Sequence, residues 1–118
     1  MSDAIQRHET RNGIMSCAVE AAGLVVTRGV LAPDLGQDIK GQTRQILAEI
    51  DRLLALAGSD RSKAVWTSFW LSDIRDIQGL NEVWLEWTGG ANLPARATVE
   101  CKLAQPKALV EIAIIAGK

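Results

Sequence analysis

The last stretch of the chain sets the strongest constraint on its fold. Ala108, Val110, Ile112, Ile114 and Ala116 alternate with Leu109, Glu111, Ala113 and Ile115, so a strand here is apolar on both faces. Such a strand needs cover on both sides. A chain of 118 residues fits one domain, with enough length for a core but not for a third layer over a sheet already backed by helices. Association of subunits is therefore expected to supply the missing layer. Glu111 is the only charge between Leu109 and Ile115. A carboxylate so placed is expected to be partly buried, and a buried charge needs a partner or a task.

Two helices are legible upstream. Ile39, Thr43, Ile46, Leu47, Ile50, Leu53, Leu54 and Ala57 recur at three- and four-residue steps, the spacing of an amphipathic helix. Gly58 stands where a left-handed C-cap residue is wanted. A second stripe, Ile77, Leu80, Val83, Trp84 and Trp87, stops at Gly89-Gly90. Between them, Lys63–Leu71 reads as a strand, with Val65, Thr67, Phe69 and Leu71 on one face and Ala64, Trp66, Ser68 and Trp70 on the other. Gly23 suggests a hairpin turn leading into Val25-Val26-Thr27, and Gly29 with Pro33-Asp34 ends that strand. Two strands close the chain, Ala95–Leu103 and Ala108–Ala116, joined by a tight connection at 104–107. The expected order is β-β-α-β-α-β-β, with room in the polar residues 1–15 for one short edge strand.

Composition narrows the function classes. The net charge is −1 with both signs interspersed, so no basic stripe marks a nucleic-acid binder. Cys17 and Cys101 lie far apart, and His8 is the single histidine; neither a zinc site nor a histidine-based triad is expected from that set. Cys101 is expected to be a small buried hydrophobe, Cys17 to be more exposed and His8 to be solvated. Met1–Gly13 has no apolar signal-peptide core, and no run of about 18 apolar residues exists to span a membrane. A cytoplasmic protein follows as the default expectation. The four tryptophans are best explained as core or subunit packing.

Arg96 is the second residue of chemical interest. In the strand after Pro94, Arg96, Thr98, Glu100 and Lys102 alternate with Ala95, Ala97, Val99, Cys101 and Leu103. Arg96 and Glu111 are thus able to meet from neighbouring strands or across a subunit boundary. A guanidinium grips a carboxylate through two parallel hydrogen bonds, and a Glu beside it can hold and activate a water. A structural ion pair sealing the end of a sheet explains the same spacing equally well.

Pro94-Ala95-Arg96-Ala97-Thr98-Val99, Leu103, Val110-Glu111-Ile112 and Ile115-Ala116 closely resemble the C-terminal signature of the Rid (reactive intermediate deaminase, YjgF) family. Val25-Val26-Thr27-Arg28-Gly29, the helix ending at Ala57-Gly58, Leu71-Ser72-Asp73 and Leu80-Asn81-Glu82-Val83-Trp84 extend the resemblance over nearly the whole chain, as a divergent branch. It implies an α+β, chorismate-mutase-like fold, a mixed sheet with two helices on one face, assembled as a homotrimeric barrel with a ligand cleft at each subunit seam. The implied activity is hydrolysis of 2-imino or 2-enamino acids to 2-oxo acids and ammonia, with no metal or organic cofactor. Under this resemblance Arg96 binds the substrate carboxylate, Glu111 orients the attacking water, Gly29 lines the cleft and Asn81 lies near it. Thr98 stands where many members have a cysteine, Met15 near where many have a tyrosine, and Arg28 where serine is common. Two other roles accompany the resemblance: a non-catalytic carboxylate-binding protein, and the ribonuclease or translation-inhibitor label of some relatives. The last is the least supported, since no basic groove, histidine base or aromatic stacking array is in view.

Overall fold

A computed structural model describes residues 4–118; Met1–Asp3, the start of the polar N-terminal stretch, lie outside the described residues. The elements run β1 (Gln6–His8), β2 (Ala18–Ala21), β3 (Leu24–Thr27), α1 (Ile39–Leu56), β4 (Ala64–Leu71), α2 (Ile77–Thr88), β5 (Ala95–Glu100) and β6 (Val110–Gly117). This is the expected order, with the short edge strand present. All six strands form one mixed sheet in the order β1-β2-β3-β6-β4-β5.

Local chemistry explains the boundaries. Asp38 caps α1 by accepting from the Gly41 amide, satisfying one of the amides a helix start leaves unpaired. At the other end Gly58 takes φ +77°, the Ser59 amide donates to the Leu54 carbonyl and the Gly58 amide to the Ala55 carbonyl. That is the Schellman arrangement anticipated from the glycine. The β2–β3 hairpin turns at Ala22-Gly23, both at positive φ. Ile46, Leu47, Ile50, Leu53 and Leu54 of α1 pack with Leu80, Val83 and Trp84 of α2 on Val25, Phe69, Leu71, Ile112 and Ile114 of the sheet. Both helices thus cover one face.

Five expectations are corrected. The strands Ala95–Leu103 and Ala108–Ala116 are not neighbours: β4 lies between β5 and β6, parallel to the first and antiparallel to the second. The 104–107 connection is consequently a crossing past β4, and β5 ends at Glu100. Cys17 is fully buried, whereas Cys101 is only half-buried because it follows the strand. His8 is not simply solvated, since its imidazole contacts the Glu20 carboxylate, which also pairs with Lys118.

The opposite face of the sheet has no cover from the described residues. Leu24, Val26, Trp66 and Val99 stay 37–49% exposed there. Residues paired across strands share a face; Ala95, Ala97 and Val99 pair with Trp66, Ser68 and Trp70, and therefore lie on this open face. The apolar side of β5 is turned outward, and its polar side towards the helices. Among the described residues no helix is long and apolar enough to cross a membrane.

Candidate functional site

Arg96 lies near the start of β5, an edge strand of the sheet. In register it pairs with Thr67, and Thr98 with Phe69; Thr67 and Phe69 are core residues beneath the helices. That register directs Arg96 to the helix-covered face. Its guanidinium carbon lies 4.3 Å from the centre of the Phe69 ring and 5.8 Å from that of Trp84. Phe69 and Trp84 meet edge to face, centroids 5.0 Å apart, so a strand residue and a helix residue together form an aromatic floor under the cation.

The polar surroundings of Arg96 are sparse. Its Nη2 donates to Thr98 Oγ1 at 3.0 Å, and no carboxylate pairs with it among the described residues. Burial pulls its pKa below the usual guanidinium value, because a poorly hydrated setting disfavours the charged form. The Thr67 hydroxyl, buried at the neighbouring register position, has no hydrogen-bond partner among the described residues. A half-buried arginine normally finds an acid. Here its fork keeps donors unspent.

The other expected site residues gather elsewhere. Glu111 pairs in register with Trp70, on the open face. Val30 exchanges backbone hydrogen bonds with Ile112, 2.8 and 3.2 Å, which draws Gly29 against Glu111. The fit is close: a Cβ placed on Gly29 would overlap the Glu111 carboxylate. The half-buried Glu111 carboxylate makes no hydrogen bond or ion pair with the described residues. Arg28 bends towards α1, donating from Nη1 to the Gly29 carbonyl (3.2 Å) and from Nη2 to Glu49 (3.4 Å). Its buried Nε has no acceptor. The Arg28 side chain lines a cleft of about 720 Å³ with Arg11, Leu31, Gln45 and Arg52. Met15 joins this end of the sheet through the hydrogen bond from the Arg11 amide to its carbonyl, 2.8 Å.

Six of the seven residues thus fall into two groups. Arg96 and Thr98 touch each other on the helix side of β5. Gly29 and Glu111 touch each other beyond β4, with Arg28 next in the chain and Met15 bonded to Arg11, which lines the Arg28 cleft. Asn81 is exposed on α2, one turn before Trp84, and no hydrogen bond joins it to either group. An Arg96–Glu111 ion pair within one chain, open on sequence spacing, does not form, because the two lie on opposite faces with β4 between their strands. Sequence reasoning missed the role of Phe69 and Trp84 beneath Arg96. Both read as core from their periodicity, and the register that sets Arg96 over them is a pairing between distant segments.

The family described as Endoribonuclease L-PSP matches residues 6–118, almost the whole chain. This protein belongs to the YjgF (Rid) family. A RutC family protein of Haemophilus influenzae is 45% identical over 80 residues, 68% of this chain and 69% of the relative. Among solved structures, a YjgF family member from Neisseria meningitidis superposes with a TM-score of 0.93 at 38% identity, covering 98% of this chain and 96% of that one. A putative translation initiation inhibitor from Salmonella typhimurium gives 0.88 at 31% identity, covering 99% and 100%. The α+β fold and family inferred from Pro94–Ala116 and its upstream companions hold for this YjgF member.

Proposed function

We propose that this YjgF family member hydrolyses 2-imino and 2-enamino acids to 2-oxo acids and ammonia, in clefts between the subunits of a homotrimer. The observation that carries the proposal is Arg96: half-buried, over two aromatic rings, and with no carboxylate of its own. A substrate carboxylate supplies the missing partner through two parallel hydrogen bonds from the guanidinium. The protonated imine carbon then accepts a water. The resulting carbinolamine loses ammonia as the C–N bond breaks and its hydroxyl proton is given up, leaving the 2-oxo acid.

Glu111 is the group assigned to orient that water. Because it lies on the sheet face opposite Arg96, the reading requires that Arg96 and Thr98 of one subunit meet Gly29, Glu111, Arg28 and Met15 of the next. Support for association comes from the open sheet face, where Leu24, Val26, Trp66 and Val99 remain exposed; an apolar face of this kind is expected at a subunit interface. Thr98 takes part as the hydroxyl held by Arg96. No metal or organic cofactor is assigned to the reaction.

One observation favours a second reading. Among the described residues of one chain, Arg96 makes its polar and ring contacts with Thr98, Phe69 and Trp84 and with no acid or base, which suits a non-catalytic carboxylate binder just as well. Turnover distinguishes the two. An imino acid generated in situ by an amino-acid oxidase is followed with and without the protein. Accelerated decay that Arg96→Ala abolishes supports the deaminase. Unchanged decay for every side chain tried, with retained binding of a 2-oxo acid, leaves the binder.

A further inference from the structure

We propose that Trp84 and Phe69 are positioning residues for Arg96, their ring faces standing in for the acidic partner a buried arginine would otherwise take. This rests on the reading of Arg96 as the carboxylate anchor and explains how that anchor is kept both fixed and open. A guanidinium pinned by an internal carboxylate would have its fork occupied and would have to break that pair before binding substrate. A guanidinium over a π face is attracted by the ring quadrupole and keeps its in-plane N–H donors available.

The geometry fits this division of labour. The cation is 4.3 Å from the Phe69 centroid and 5.8 Å from that of Trp84, both within cation–π range. Thr98 engages one Nη2 donor at 3.0 Å, fixing rotation of the group within its plane without adding negative charge. The rings are themselves held. Phe69 is 1% exposed and Trp84 7% exposed, they meet edge to face, and Trp84 stacks on Trp87 with centroids 5.3 Å apart. Trp87 spends its own contacts elsewhere, receiving Arg61 over its face and donating Nε1–H to Asp51. It lies as deep as Trp84, yet makes no contact with Arg96. The α2 stripe therefore contains a ring that touches the anchor and, one turn later, a ring that does not.

That difference makes the test. Trp84→Leu and Trp87→Leu each remove a buried indole of the α2 stripe, the second with its hydrogen bond to Asp51, and both are expected to lower the midpoint of thermal unfolding. Only Trp84→Leu is expected to raise the KM for an imino acid made in situ, by about tenfold, with kcat changed far less. The same variant is expected to weaken pyruvate binding by a similar factor in titration calorimetry. Trp84→Phe restores a ring and is expected to recover most of the affinity. Should Trp84→Leu and Trp87→Leu shift KM and pyruvate affinity equally, or Trp84→Phe fail to recover affinity where it recovers the unfolding midpoint, the positioning role is wrong. If the wild-type protein neither turns over imino acids nor binds pyruvate, the carboxylate-anchor reading itself fails and takes this one with it. Phe69→Leu gives a second variant should Trp84→Leu not fold, and carries the same expectation.

Discussion

Arg96 and Glu111 carry opposite charges, neither has an ionic partner among the described residues of its own chain, and they stand on opposite faces of the sheet with β4 between their strands. Two half-buried charges left this way are costly for a folded monomer. They become explicable when each faces a seam, the guanidinium awaiting a carboxylate ligand and the carboxylate awaiting water or substrate. Arg96→Ala is accordingly expected to abolish carboxylate binding while changing unfolding free energy by less than about 1 kcal/mol, because no buried counter-charge is orphaned. Arg96→Lys keeps the charge but loses the planar fork, and is expected to restore only a small part of the affinity. Parallel chemical denaturation and pyruvate titration measure both.

Gly29 and Glu111 offer a test of the second half-site. The Cβ of Gly29→Ala would fall on the Glu111 carboxylate. What it displaces is the far end of a flexible side chain, so the fold is expected to survive with a loss of under about 1 kcal/mol. Turnover is expected to fall about a hundredfold as the carboxylate swings away, the lower range for a lost general acid–base group. In the double variant with Glu111→Ala, activity is expected to be no lower than in Glu111→Ala alone. Additive losses would mean that Gly29 acts by some other route.

Association can be tested on the open face. Val26 is 43% exposed in the single chain, so Val26→Asp leaves the core untouched but places a charge in the expected interface. The wild-type protein is expected to scatter light as a trimer and the variant to fall to a smaller species with unchanged far-ultraviolet circular dichroism. A monomeric wild-type mass would contradict the seam on which the proposed site depends.

The N-terminal region gives a pH prediction. Hydrogen bonds from Arg52 hold the Glu9 carboxyl at about 2, against an ordinary value of 4.5. A carboxyl depressed on folding contributes its stabilisation in full above the unfolded pKa and loses it as pH falls through the folded one. Stability attributable to this pair is therefore expected to decline from about 4.5 down to about 2. Asp73, held at about 2 by Arg75 against an ordinary value of 3.8, loses its contribution between about 3.8 and about 2. Glu9→Gln is expected to flatten part of that acid limb in denaturant titrations. An unaltered limb would show the exposed pair to be screened by solvent.

At the end of α1, Gly58→Ala is expected to destabilise by about 1 kcal/mol, read from the denaturation midpoint, because φ there is +77°.

Much of this protein was fixed by local pattern. The stripe from Ile39 to Ala57 and the glycine after it determined α1 and its cap, since three- and four-residue spacing and a left-handed C-terminal residue act within a few turns of chain. The alternation from Ala108 to Ala116 determined which residues of β6 share a face, and the run from Pro94 to Val99 carried the family. Tertiary structure decided the rest. Whether Arg96 or Ala95 faces the helices depends on pairing β5 with β4 rather than with β6, and both pairings satisfy the same period of two. That register moved Arg96 onto Phe69 and Trp84, turned Ala95, Ala97 and Val99 outward, and parted Arg96 from Glu111. A strand's sequence states its two faces. Only the strand beside it states which face is which.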